Sequence, residues 1–305
     1  MNNTKKKSPI SWVPTAYFAM GLPFVVLNMV TVLMFKGLEV DDKLITFWTS
    51  LILLPWTLKP LWSPFLELFR TKKFFVIVTQ LITGITFGLV AFALNLSHFF
   101  SISIALLAIV AFSGATHDIA CDGVYMSELS NEDQARFIGW QGAFYNIAKI
   151  LATGGLVYLA GYFIELNADA GLLTANKRAW MIILLILSVT MILLGIYHLF
   201  ALPSTQSASS RKTLRSNKEV MKELGQVLMD FFRKTHITYY ICFIILYRFA
   251  EGFVMKIVPL FLKADREMAD WDSMKRKSDF IMVRTELRPL CWVLCWQDII
   301  LPVGD

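Results

Sequence analysis

The sequence predicts an all-α membrane protein: a six-helix half-bundle over residues 1–201, a polar linker at 202–235 and a seventh helix at 236–263. Three observations carry that expectation. Of 305 residues, 56% are hydrophobic and only 17% charged, and the mean hydropathy is +0.57, outside the range of an ordinary soluble domain. Seven apolar runs reach the roughly 20 residues that a helix needs to cross a hydrocarbon core of about 30 Å. The runs are continuous rather than alternating, so helices, which satisfy their own backbone in lipid, are expected and a β-barrel is excluded.

The runs lie near 11–36, 44–68, 74–96, 99–126, 135–165, 178–201 and 236–262. The first follows Lys5, Lys6 and Lys7 in the manner of a signal peptide, but it is too long and lacks a small-residue cleavage site, so it reads as a permanent helix. Gly21 with Pro23, Pro55 with Pro60 and Pro64, and Thr153-Gly154-Gly155 mark places where helices bend or pack closely. Trp12, Trp56, Trp62 and Trp180 suit interface anchors or core, whereas Trp140 and Tyr145 on the fifth run are candidate solute contacts. His198 and His236 fall at predicted span edges and carry little information. Cys121 and Cys242 lie inside spans and Cys291 and Cys295 near the end, which suggests neither a disulfide framework nor a zinc ribbon.

After Pro203 the stretch STQSASSRKTLRSNK reads as a flexible linker. The segment that follows, EVMKELGQVLMDFFRK, sets Val220, Leu224, Val227, Leu228, Phe231 and Phe232 on one stripe, as in a helix lying on the inner leaflet or over the bundle. Cations fix the expected orientation. Lys5, Lys6, Lys7, Arg70, Lys72, Lys73, Arg136 and the basic residues of 211–234 fall on one set of loops, and mainly Lys43, Lys177 and Arg178 on the other, so the N-terminus and the linker are expected to be cytoplasmic. Those loops account for the net charge of +6 without a nucleic-acid partner.

Six spans, a cytoplasmic linker and a seventh span match half of a common transporter plan, two six-helix halves around a central site. Residues 264–305 are charged and Trp-rich and hold no run long enough to span. Back-translated and read two bases later, residues 268–283 permit GGLGFDEKEIGFYYG, a sequence with membrane-helix composition on its far side. About the last 37 residues are therefore expected to be an out-of-frame tail, from a natural frameshift or a sequence error; the competing reading is a real, short cytoplasmic or periplasmic extension.

The functional signal is in the charged residues of the runs. An ionisable side chain deep in a helix costs roughly 3 kcal/mol on insertion scales, so it faces a partner or a water-filled cavity. In AFSGATHDIACDGVYMSEL at 111–129, Asp118 and Asp122 are four apart and share one helical face, with His117 and Cys121 on the adjoining one. Two carboxylates in one low-dielectric site can take up and release a proton. Lys59 and Lys149 are candidate counter-ions, Arg248 and Glu251 can pair within YRFAEG, and Lys256 near a helix end suits snorkelling. The expected proton-coupling residues are Asp118, Asp122, His117 and Glu251; the expected solute-binding residues are Lys59, Trp140, Tyr145, Lys149 and Arg248. No cofactor and no metal is expected.

Two other classes compete. His117, Asp118 and Asp122 could ligate a metal in an intramembrane enzyme acting on lipid phosphate, but of the aspartate-rich signature of phospholipid synthases CDGVYMSEL offers only the first Asp-Gly. A receptor or structural seven-helix bundle fits the helix count but neither the linker nor the intramembrane acids.

YFAMGLP at 17–23, WTLKPLWSPFLEL at 56–68 and ATHDIACDGVYMSEL at 115–129 resemble, in order and spacing, the AmpG-like branch of the major facilitator superfamily, permeases for peptidoglycan-derived muropeptides. The branch's Lys-x-Leu-Trp-x-Pro pattern is met by Lys59, Leu61, Trp62 and Pro64. Its Gln-Asp-x-x-x-Asp pattern is met by Asp118 and Asp122, with His117 in place of the glutamine. YRFAEG at 247–252 is similar to the start of the family's seventh helix, and Glu67 followed by Arg70, Lys72 and Lys73 loosely matches its loop between helices 2 and 3. The resemblance implies proton-driven uptake of a small polar solute, such as a muropeptide or sugar derivative, by two halves rocking about a midplane cavity, with no enzymatic step. It further implies a multi-pass protein of a bacterial inner membrane whose partners are the solute, protons and the lipid bilayer.

Overall fold

The computed structural model describes residues 7–59, 62, 63, 66, 71–203 and scattered positions from 229 to 246. The linker and the seventh run fall mostly outside these residues, and the tail, Arg248 and Glu251 wholly so. Among the described residues every regular element is a helix. In chain order they are α1 (Pro9–Gly37), α2 (Asp42–Ile52), α3 (Leu54–Leu58), α4 (Lys72–Ala93), α5 (Phe99–Glu128), α6 (Asn131–Leu166) and α7 (Leu172–Ala201). Helices α1 and α4 to α7 are long and apolar enough to cross a membrane, and the chain is a helical membrane protein.

Local chemistry sets the helix ends. Asp41 caps α2 by accepting from the backbone N–H groups of Lys43 and Leu44, Thr71 caps α4 on Phe74, and Ser130 caps α6 on Asp133. Between α6 and α7 the chain turns through Gly171 at φ 85°, a conformation that glycine adopts without a Cβ penalty. α1 carries Pro23 in its interior and widens into a π segment at Val26–Val30, and α6 widens at Leu151–Leu156, the stretch that holds Thr153, Gly154 and Gly155. Of the three places expected to bend or pack closely, two thus lie in or beside a stretch where the helix leaves regular α geometry.

The second run departs from the expected single span over 44–68. It is broken at Leu53, and α3 restarts with Pro55 in its first turn. Proline has no N–H to donate and its ring crowds the carbonyl four residues back, so a continuous helix through Pro55 would lose a bond and gain a clash. Beyond the break, Trp56 and Lys59 reach Asp118 of α5.

α4 packs along both α5 and α7, while α1 packs along α6 and α5. The α4–α7 contact is made by small residues. A Cβ on Gly84 would lie 2.7 Å from Ile192 Cγ1 and 2.9 Å from the Ser188 carbonyl oxygen, and one on Gly195 would lie 3.0 Å from Leu81 Cδ2. Without such residues the two backbones could not approach so closely. Val26, Phe35, Phe87, Leu107, Ile183 and Leu187 fill the core between these helices. α1 is the most enclosed of the five long helices and α6 the least, its outward face presenting Trp140, Ile147, Leu151, Tyr158 and Tyr162.

Candidate functional site

Tyr17, Gln80, His117, Asp118, Asp122 and His198 all lie toward one end of the bundle, where α1 begins and α5 and α7 end. Asp118 lies about 15 Å along α5 from its last residue, at 1.5 Å rise per residue. Its approach to α3 depends on Gly114, one turn earlier on the same face. A Cβ there would meet Trp56 Cζ2 at 2.8 Å, so the absent side chain is what lets the indole come close to α5. From that position Trp56 Nε1 donates to Asp118 Oδ2 at 2.8 Å, and Lys59 Nζ, one turn on, donates to the same oxygen at 2.6 Å. Asp118 is buried and Lys59 half-buried, so the ion pair stands largely out of water. Asp118 Oδ1 is also buried, and has no hydrogen-bond partner among the described residues.

Asp122, one turn further, has a different set of neighbours. Tyr17 of α1 donates its hydroxyl to Asp122 Oδ1 at 2.8 Å and accepts from Gln141 Nε2 of α6 at 2.9 Å. Asp122 is exposed and lines a cavity of about 270 Å³ together with Ser63, Lys72, Phe75, Gly123 and Met126. Here too a glycine makes room: a Cβ on Gly123 would lie 2.8 Å from Lys72 Cδ, and Lys72 Nζ approaches the Gly123 carbonyl at 3.4 Å. The two aspartates therefore share a helix face, as their spacing predicts, but are held by different helices, Asp118 by α3 and Asp122 by α1.

His117 points in a third direction. Its Nε2 lies 2.9 Å from Gln80 Nε2 on α4, Gln80 Oε1 lies 2.9 Å from His198 Nδ1 on α7, and His198 Nε2 lies 2.9 Å from Thr15 Oγ1 on α1. His117, Gln80 and His198 are all buried. The expectation that His198 carries little information is thus wrong: it is a fully enclosed polar residue joining three helices. The missed signal was Gln80, a neutral polar residue in the middle of an apolar run, which in a membrane helix points to a hydrogen-bond partner on a neighbour. His117, Asp118 and Asp122 do not converge on one point, and among the described residues no group of three or more His, Cys, Asp and Glu side chains is placed to hold a metal ion.

No protein family, no curated protein and no solved structure matches the chain.

The remaining expected contacts are spread along α6. Trp140 is exposed and stacks on Phe144 with ring centroids 5.8 Å apart. Tyr145 is half-buried where α6 crosses α1, its carbonyl oxygen 2.9 Å from the place a Cβ of Gly21 would take. Lys149 is half-buried in the last turn before the π segment. Of the two lysines expected to face the aspartates, the one that pairs with Asp118 is Lys59. Arg248 and Glu251 lie outside the described residues.

Proposed function

We propose that the chain is a proton-coupled secondary active transporter of the major facilitator superfamily, of the AmpG-like branch, that imports a small polar solute such as a muropeptide or sugar derivative across a bacterial inner membrane, its N-terminus on the cytoplasmic side. The observation that carries this reading is the Lys59–Asp118 ion pair inside the helical bundle. While Asp118 is charged, Lys59 and Trp56 hold α3 against α5. A proton on Asp118 removes the attraction and leaves Lys59 as a half-buried cation in need of a new partner. An anionic group on the solute can supply that partner, and α3, already separated from α2 at Leu53, can shift without bending a continuous helix. Proton and solute are then linked because each favours the arrangement in which Lys59 and Asp118 are apart. Asp122, exposed to the cavity beside Lys72, stands one helical turn from Asp118 and gives a proton a stepping place toward that end of the bundle.

The test is uptake of a labelled muropeptide, with proton flux followed in parallel, in cells expressing the chain. Solute and protons are expected to enter together, and Asp118→Asn is expected to abolish both while the protein still reaches the membrane. Unchanged uptake by Asp118→Asn would remove the role assigned to that carboxyl.

A further inference from the structure

We propose that His117, Gln80 and His198 form a second proton-binding site, separate from the aspartates, which holds a single added proton and holds it on His198. The reason is the chemistry of one carboxamide between two imidazoles. Gln80 presents its NH2 to His117 Nε2 and its carbonyl oxygen to His198 Nδ1, each at 2.9 Å. An amide nitrogen can only donate, so His117 Nε2 must keep its lone pair and the ring is neutral, with its hydrogen on Nδ1. The amide oxygen can only accept, so His198 Nδ1 carries a hydrogen. His198 Nε2 is then free to be bare or protonated, and the structure satisfies both states. Bare, it accepts from the Thr15 hydroxyl at 2.9 Å; protonated, it donates to the same oxygen, whose hydrogen turns to the Trp12 carbonyl at 3.2 Å.

Turning the amide over does not create a second equivalent place. His117 Nε2 would then donate to Gln80 Oε1, and a charged His117 would also need an acceptor at Nδ1. That atom is buried and has no partner among the described residues. In the first orientation the same Nδ1–H is also unmet, but it sits on a neutral ring; an unmet buried N–H costs more on a cation, so the added proton goes to His198, both of whose N–H groups find acceptors. In neither orientation can both rings be charged, because the amide offers only one acceptor.

The surrounding charges favour the same choice. His117 has Lys59 nearby, the cation that pairs with Asp118, with Cys121 and Asp122 one turn along α5. His198 has the ring of Tyr197 at 5.5 Å, and that residue's hydroxyl donates to the Ser11 carbonyl. Lys73 of α4 is directed to the Leu202 carbonyl at 2.9 Å, and Tyr17 of α1 is committed to Asp122. Thr15 is partly exposed at the start of α1, which gives a proton a way to His198 that does not pass Asp118.

The site is tested on the intact 305-residue chain in lipid nanodiscs, labelled with ring-15N histidine, and followed by NMR while the sample is acidified. The chain has four histidines, and His117→Asn and His198→Asn assign two of the signals. His198 is expected to pass from neutral to doubly protonated, while His117 stays neutral with its hydrogen on Nδ1. Gln80→Glu replaces the donor with a second acceptor, so both rings are expected to charge in that variant. A doubly protonated His117 in the wild-type chain, at any pH at which the helices persist, overturns the proposal. So does a His198 that stays neutral until the helices are lost. Neither result bears on solute uptake through Asp118, so this site and the transport reading fail separately.

Discussion

Lys59→Met is expected to destabilise the folded chain by about 3–5 kcal/mol, because it leaves the buried carboxylate of Asp118 without its counter-ion. The expectation follows from where the pair stands. Asp118 is buried, and its other oxygen has no hydrogen-bond partner among the described residues, so little is at hand to take over from the ammonium. The Lys36–Asp42 pair is a built-in comparison. It is 2.8 Å long, but the aspartate side chain is 50% exposed, and pairs of that kind contribute about 0–1 kcal/mol. Lys36→Met is therefore expected to change little. Adding Asp118→Asn to Lys59→Met should recover most of the loss, since the double variant buries no charge. Thermal unfolding of the wild-type chain and the three variants in one detergent checks this, and a Lys59→Met cost no larger than that of Lys36→Met would show that the buried pair is not what holds α3 on α5.

Gly84→Leu is expected to cost at least the roughly 1–3 kcal/mol typical of overpacking a filled core. The β-carbon alone would sit 2.7 Å from Ile192 Cγ1, 2.9 Å from the Ser188 carbonyl oxygen and 3.1 Å from the Ile192 nitrogen. Two of those three atoms are backbone, so the clash is relieved only by moving α4 and α7 apart. That same separation lengthens the Gln80–His198 hydrogen bond, because Gln80 lies one turn before Gly84 on α4. Gly154→Leu is the matched control, since nothing lies within 4 Å of a Cβ at that position. Melting temperatures of the two variants are to be compared. Equal losses would mean that the small residues between α4 and α7 do not set their separation.

The long helices were legible because the membrane imposes a simple rule: a segment that must satisfy its own backbone over the hydrocarbon thickness is an apolar run of helical length. Runs expected at 74–96, 99–126 and 178–201 are helices Lys72–Ala93, Phe99–Glu128 and Leu172–Ala201. Hydropathy alone could not foresee the break in the second run, because Leu53, Leu54 and Pro55 are all apolar while the break is steric. The face shared by Asp118 and Asp122 follows from helical periodicity. Which helix meets each of them does not, since that depends on packing between segments far apart in sequence. Lys59 was a foreseeable partner because a buried charge requires its opposite. Tyr17, Gln80 and His198 were not identified as partners, because a neutral polar group in an apolar run signals that it has a partner but not which one.

The central claim is that Asp118, inside the bundle, takes up and gives back a proton. Infrared difference spectra of the intact chain in lipid, recorded as the pH is lowered and raised again, test it most directly. The account predicts a carboxylic-acid C=O band that appears on acidification, disappears on return and is absent from Asp118→Asn. A wild-type spectrum with no Asp118-dependent band at any pH at which the helices persist would contradict it.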